Sequence, residues 1–173
     1  SNTTKTAVYT KESEIVKSHY TATNLAYLSL VFMGGPSKVI VERVQTSDNI
    51  SDALERLKNK RWYYLAVPGL GDGETDTIVE YIKEQRTQYH KTFKAVLPLA
   101  TADNEGIINF ATDNIKIGAK TYTTAEFCCR IAGILAGRPL NRSATYYTLP
   151  EVESITESET PDDDVDNGKL ILI

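Results

Sequence analysis

Asp103-Asn104-Glu105-Gly106-Ile107-Ile108-Asn109-Phe110, the run 123–136, and Ala136-Gly137-Arg138-Pro139-Leu140-Asn141-Arg142-Ser143-Ala144-Thr145-Tyr146-Tyr147 are the pieces of sequence that decide how this chain is read. The first is a polar turn running into an apolar strand. Asp103 is placed to bond its own downstream backbone N–H groups, and Gly106 supplies turn freedom. The second predicts a helix. Thr123-x-x-Glu126 is a capping box, and Ala125, Cys128, Ile131, Ala132 and Leu135 form an apolar stripe. Gly133 inside that helix costs about 1 kcal/mol of propensity relative to alanine, a cost that close approach of a strand or second helix would offset. Gly137 suits a left-handed C-cap, and Pro139 prevents resumption. Residues 144–149 then read as a strand. None of these pieces supplies a nucleophile with a base, a metal-ligand cluster or a phosphate cradle.

Upstream, residues 6–9 read as a short strand or an arm. Thr23 is the expected cap of an apolar helix that Gly34-Gly35-Pro36 stops. Val39, Ile40, Val41 and Val44 predict a β-branched strand. Asn49 caps the next helix, where Ile50, Ala53, Leu54 and Leu57 fall on one face. Residues 63–67 and 93–97 are apolar strands. Between them a helix over 74–90 turns Thr75, Ile78, Val79, Ile82 and Tyr89 inward. This alternation implies βαβ crossovers and a largely parallel inner sheet, made mixed by the later strands. The expected fold class is α/β: a three-layer domain with a mixed, partly parallel central sheet and helices on both faces. A length of 173 residues suits one domain. Along it we distinguish an N-terminal segment with the first helix (1–36), a core (37–150), an acidic loop (151–167) and a final strand (168–173).

The net charge of −4 hides an asymmetry. Glu151, Glu153, Glu157, Glu159, Asp162, Asp163, Asp164 and Asp166 follow one another with no Lys or Arg between them. The 23 acids less these eight leave 15 against 19 bases, or +4 for the rest. Such a stretch buries too little apolar surface to order itself, so we expect a solvated loop or a surface that pairs with basic patches on a neighbour. The only cysteines, Cys128 and Cys129, are adjacent on the predicted helix, a poor geometry for a disulfide, and Cys128 reads as a core residue. No run approaches the roughly 20 apolar residues of a membrane span. The chain opens Ser1-Asn2 without a methionine and stops on the apolar run 169–173, from which we expect a piece of a longer protein.

Chemistry is sparse. Gly69-Leu70-Gly71-Asp72-Gly73 lies between a strand and a helix, yet its third glycine comes one residue early for a dinucleotide fingerprint and no Walker lysine follows. Asp72 and Glu74 would repel phosphate where a helix N-terminus should attract it. His19 and His90 lack companion ligands; His90 falls in the last helical turn, where it complements the dipole. Asp103 and Glu105 are a carboxylate pair that the turn itself explains. Asn141-Arg142-Ser143 reads as local capping of a loop, and Arg61-Trp62-Tyr63-Tyr64 as sheet packing rather than a base-stacking platform.

The two quoted blocks resemble the conserved part of contractile-tail sheath proteins, those of myophages, defective prophages and phage-tail-like bacteriocins. In that family an acidic residue, often followed by Glu-Gly and an apolar strand, precedes a helix ending in Ala-Gly, after which comes Ser-x-Thr-Tyr. Here these are Asp103, Glu105-Gly106, Ala136-Gly137 and Ser143-Ala144-Thr145-Tyr146. The likeness covers roughly 37–173 and is strongest after Trp62. It includes the strand Trp62-Tyr63-Tyr64-Leu65-Ala66-Val67-Pro68, the helix pattern Val79-x-x-Ile82-Lys83-x-x-Arg86, and the strand Ala95-Val96-Leu97. The resemblance implies a structural subunit, not an enzyme, with no cofactor. It implies helical polymerisation around an inner tail tube, contraction, and strand addition between copies by terminal arms. The implied partners are further copies, the tail tube protein, and baseplate and tail terminator proteins, with neither nucleic acid nor membrane insertion. The implied location is a virion tail or phage-tail-like particle assembled in the bacterial cytoplasm. Sheath subunits of this type continue beyond a strand like 169–173 and carry a longer N-terminal region, so the arms are expected to be missing here. The candidate self-assembly residues are the eight acids together with Leu170, Ile171 and Leu172. The alternative is a small-molecule or nucleotide-binding α/β module using the loop 69–73.

Overall fold

The computed structural model describes residues 5–45, 48–71 and 73–173. In chain order the elements are β1 (Thr6–Tyr9), α1 (Ala22–Phe32), β2 (Val39–Glu42), α2 (Ile50–Leu57), β3 (Tyr64–Ala66), α3 (Glu74–Thr87), β4 (Lys94–Pro98), β5 (Ile107–Phe110), β6 (Asp113–Ile117), β7 (Lys120–Tyr122), α4 (Thr124–Gly137), β8 (Ser154–Thr156), α5 (Pro161–Asp166) and β9 (Lys169–Leu170). Short 3-10 turns at Glu12–Glu14 and Lys17–His19 join β1 to α1.

The expected α/β class holds, with parallel and antiparallel pairing and helices on both faces. Parallel and antiparallel strands are segregated. A four-stranded sheet in the order β3-β4-β5-β9 is parallel throughout, a three-stranded sheet β7-β6-β8 is antiparallel, and β1-β2 form an antiparallel ribbon. Strand β2, read as part of the inner sheet, belongs to the ribbon instead. The parallel sheet is covered on both sides, as crossover helices require. Its pleat divides the core: Leu65, Ala95, Leu97 and Ile107 pack toward α2 and α3, while Tyr64, Ala66, Val96, Ile108 and Phe110 pack toward α4. Trp62 stacks on Phe93 with ring centroids 3.7 Å apart and donates its indole N–H to Leu57 O at 3.0 Å.

Helix α4 is the centre of the molecule. Its capping box forms as read, with Thr123 N–H donating to Glu126 Oε2 at 2.9 Å and Glu126 N–H to Thr123 Oγ1 at 3.3 Å. It is buried almost all round, from Thr124 through Phe127, Arg130 and Gly133 to Ile134. One side meets β3 and β4, the other α1. Gly133 does mark a close helix approach: a Cβ there would lie 2.2 Å from Val31 O on α1. Gly137 serves the same contact, since a Cβ on it would lie 1.9 Å from Gly34 O. It is the last helical residue, not a left-handed cap, and Arg138 follows in an extended conformation.

Other boundaries moved. Helix α1 is capped by Thr21 rather than Thr23, the Thr21 hydroxyl accepting from Asn24 N–H at 3.2 Å. Helix α2 is capped by Asn49 as read, and Ile50, Ala53, Leu54 and Leu57 are all buried. Helix α3 ends at Thr87, leaving His90 beyond it at φ 53° and Tyr89 exposed; Gln85 takes the inward place given to Tyr89. The turn before β5 is closed by Asn104, whose Oδ1 accepts from Gly106 N–H at 2.8 Å, not by Asp103. Gly106 is required by space, because a Cβ would meet Arg86 Cδ at 2.5 Å and Ile82 Cγ2 at 2.7 Å. The β6–β7 hairpin, turning at Gly118 with φ +57°, was not anticipated. Residues 144–149 are not a strand; Tyr146 has φ 58°, which an extended run cannot hold.

Candidate assembly surface

The acidic stretch is ordered, contrary to its composition. Val152 and Ile155 pack against the edge of the α4 core, and β8 pairs with β6, Asp113 opposite Thr156 and Lys116 opposite Ser154. Helix α5 begins with Pro161, and Asp162, Asp163 and Asp164 sit in its first turn. Proline is pre-set for that position, and carboxylates there oppose the positive end of the helix dipole.

The eight acids divide by what they touch. Glu151 Oε1 accepts from Arg130 Nε at 2.7 Å, and that guanidinium, at 3% side-chain exposure, is a buried cation. Glu153 pairs with Lys116 Nζ at 3.0 Å and accepts from Gly118 N–H at 3.2 Å; Lys116 holds its carboxyl below the usual range. Asp164 accepts from Lys169 Nζ and Ser158 Oγ, each at 2.6 Å, and these hydrogen bonds lower its pKa. These three are consumed by the fold. Glu157, Glu159, Asp162, Asp163 and Asp166 are exposed, and the structure leaves them as a solvent-facing acidic patch.

Strand β9 follows directly. It pairs in parallel with β5, Asn109 opposite Lys169 and Phe110 opposite Leu170, and is the outer strand of its sheet. The three apolar candidates separate as well. Leu170 is exposed and Ile171 half-buried. Leu172 turns into the α4 core, and its N–H donates to Thr112 Oγ1 at 2.7 Å. An outer strand presents a row of backbone groups to which another strand can add.

Sequence reasoning missed the loop after α4. Leu140 and Tyr146 are almost fully exposed, at 107% and 94%. Beside them Tyr147 is held between two guanidiniums, with Arg138 Cζ 5.1 Å and Arg130 Cζ 5.8 Å from its ring centroid. Read as a strand, Tyr146 and Tyr147 would point to opposite faces; the actual turn leaves one out and clamps the other.

Groups capable of chemistry are tied up or scattered. Both cysteines are buried and free; burial pushes the Cys128 thiol far up and that of Cys129 to about 12, so neither is a nucleophile at neutral pH. Asp103 is exposed, and Glu105 is paired with Arg86, which lowers its pKa. In the loop 69–73, Asp72 lies outside the described residues. Glu74 Oε2 accepts from Gly71 N–H at 2.5 Å, and Asp76 adds a second carboxylate to the first turn of α3, so this helix end disfavours a phosphate. Among the described residues no group of three or more His, Cys, Asp or Glu side chains could hold a metal ion, and no helix is long and apolar enough to cross a membrane.

Comparison with known proteins assigns this architecture. The family model of the phage tail sheath protein central domain matches residues 44–170. The tail sheath protein of Clostridium phage phiCD119 is 35% identical over 173 residues, covering 94% of this chain and 48% of that protein; the chain thus spans about half the length of that relative. Among solved structures, the sheath tail protein of Listeria innocua superposes with a TM-score of 0.68 at 18% identity, over 79% of this chain and 33% of that one. That of Desulfitobacterium hafniense gives 0.65 at 18%, over 78% and 37%. A chain of the anti-feeding prophage baseplate gives 0.62 at 14%, over 92% and 48%. At such identities the superpositions establish the fold, and the sequence match over most of the chain establishes the kinship: this polypeptide belongs to the phage tail sheath protein family, whose role is structural.

Proposed function

We propose that the chain is the central part of a contractile sheath subunit. In this reading the full-length protein polymerises helically around an inner tail tube, in a virion tail or phage-tail-like particle assembled in the bacterial cytoplasm, and contracts to drive that tube through a cell envelope. Its partners are further copies of itself, the tube protein, and the baseplate and tail terminator proteins at the two ends. The observation that carries the reading is the sheath family match over residues 44–170, laid on a fold that superposes on sheath proteins.

Residues 37–150 act as a body that moves without deforming, while charges at its surface exchange partners. Copies meet through heterologous contacts, which build open helices. The exposed acids Glu157, Glu159, Asp162, Asp163 and Asp166 and the outer edge of β9 at Leu170 and Ile171 are the proposed contact points. Their exposure, and the engagement of Glu151, Glu153 and Asp164 inside the subunit, support that choice. Electron microscopy of the full-length protein, alone and co-expressed with its tube protein, tests the function. Tubes or rings, and a sheathed tube in the second sample, are expected. A protein that stays monomeric in both samples and is absent from the outer layer of purified particles overturns it.

A further inference from the structure

The β1–β2 ribbon and the four-stranded sheet are separate, and each offers an unused strand edge to the other. Strand β2 pairs with β1 on one side, and β3 pairs with β4 on one side; among the described residues neither has a second strand neighbour. Between them runs a groove of about 920 Å³, lined by the whole of residues 36–45 and 61–68. Its middle is apolar. Val31 and Ala132 line it and belong to the α4-side core, Leu54 lines it and belongs to the α2–α3 core, and Ile40 and Leu65 flank it. Glu42, the acid at the end of β2, is engaged by Arg56 and by the Thr6 hydroxyl.

Protein interiors are close-packed and hold few voids larger than a water, so a groove of this size between two apolar cores awaits a filler. The walls specify its shape. The residues of β3 alternate between the two cores, and a strand laid beside β3 would alternate in the same way. Two facing strand edges supply backbone donors and acceptors along the length of an extended peptide, and the charged lining residues Lys38, Glu42, Arg43 and Arg61 sit on those strand edges and their flanks, beside the apolar residues Val31, Ile40, Leu54, Leu65 and Ala132.

The position of the chain ends indicates the source. Lys5 lies one strand from the groove: its carbonyl accepts from Arg43 N–H at 2.8 Å at the end of β2. The C-terminal residues follow β9, at the opposite edge of the parallel sheet from β3. The tail sheath relative is about twice as long as this chain, which covers 48% of it. We propose that in the full-length protein an apolar β-strand of the same subunit, preceding residue 1, fills the groove between β2 and β3 and joins the ribbon to the parallel sheet.

Amide hydrogen exchange of the full-length protein, held below its polymerisation concentration, is compared with the same protein lacking everything before residue 1. Amides of residues 39–42 and 64–66 should exchange at least tenfold faster after the deletion. Should the deleted protein fail to fold, a cryo-EM map of the full-length protein reads the same answer, as a strand between β2 and β3 traceable to the preceding segment. Equal exchange in the two proteins overturns the proposal. So does protection that arises only on polymerisation, which would assign the groove to a neighbouring copy. A groove filled in the map by a segment following residue 173, or by a small molecule, overturns it too.

Discussion

Replacing Gly133 by alanine inverts the usual sign of a helix substitution. At an unobstructed helical position the change stabilises by about 1 kcal/mol, because alanine loses less backbone entropy. Here the added Cβ would stand 2.2 Å from Val31 O and 2.9 Å from both Val31 C and Cα. All three are backbone atoms of α1, so no rotamer change relieves the contact and the two helices must separate. Separation is felt along the whole interface, since Gly34 sits against Gly133 C and Gly137 against Gly34 O in the same way. Overpacking costs typically about 1–3 kcal/mol, and an obstacle made of backbone belongs at the upper end. Less the propensity gain, about 1–2 kcal/mol of net destabilisation remains. At roughly 2–4 °C per kcal/mol for a domain of this size, Tm should fall by about 2–8 °C. Gly69→Ala is the control: its Cβ would meet nothing within 4 Å, and its effect should stay within about 0.5 kcal/mol. Thermal melts followed by circular dichroism and urea titrations with an unchanged slope give both numbers. A Gly133→Ala protein as stable as the parent would mean that α1 and α4 do not touch through their backbones.

Glu151→Ala should cost about 3 kcal/mol, because it strands the buried Arg130 guanidinium; in urea denaturation the double variant with Arg130→Met should recover at least half of that, and no recovery would mean the two side chains are not coupled. For Glu126, burial raises the carboxyl pKa, but the Tyr27 hydroxyl, the Thr123 N–H and Lys120 outweigh it and leave the net value below the ordinary 4.5. Such a group contributes stability that is complete above its unfolded pKa and lost as pH falls through the folded one. Stability should therefore drop on acidification below about pH 4.5, and Tyr27→Phe, removing a 2.6 Å hydrogen bond, should shrink the difference between pH 7 and pH 3; an unchanged difference refutes the role given to Tyr27. Exchanging Glu157, Glu159, Asp162 and Asp163 for their amides should change assembly of the full-length protein and weaken its salt dependence in light scattering, and identical assembly at low salt would make the patch a solvated surface.

The helices that could be read from sequence are those where a cap and a period coincide. Asn49 with Asp52 and Thr123 with Glu126 each stand at the head of an apolar stripe, and both boxes form. The parallel sheet was legible because 63–67 and 93–97 are apolar runs separated by a helix, a pattern that only a doubly covered sheet accommodates. The β6–β7 hairpin escaped because only Ile115 on β6 is fully buried and polar residues flank it; Gly118 was the available signal. Strand β8 escaped because a single inward residue, Ile155, sits in an acid-rich run whose composition argues for a loop. Gly137 was misread because a glycine chosen for conformational freedom and one chosen for lack of a side chain look alike in sequence. The same limit applies to the acidic patch. Which acids are free depends on Arg130, Lys116 and Lys169, and only the fold brings the first two beside Glu151 and Glu153.

A subunit that transmits force without deforming needs its contact surfaces fastened to its core, and the two proposed contact regions are fastened in different ways. The acidic segment is tied at Glu151 to Arg130 in the middle of α4, at β8 to β6, and at Asp164 to Lys169 on β9. Strand β9 is tied to β5, and just beyond it Leu172 bonds to Thr112. A load applied to either region passes in one step to α4 or to the parallel sheet. The Arg130–Glu151 pair is the telling case. A buried ion pair gives little net stability over a well-packed apolar pair, but it fixes the place at which a polar segment meets an apolar helix. Glu151→Ala should impair assembly of the full-length protein more than an equally destabilising change in the α2–α3 core, such as truncation of the fully buried Ile78 to alanine, because only the former loosens a proposed contact surface from the body that carries it. Matching the two variants in stability and comparing their polymerisation separates the effects, and equal assembly would show that the pair serves folding alone.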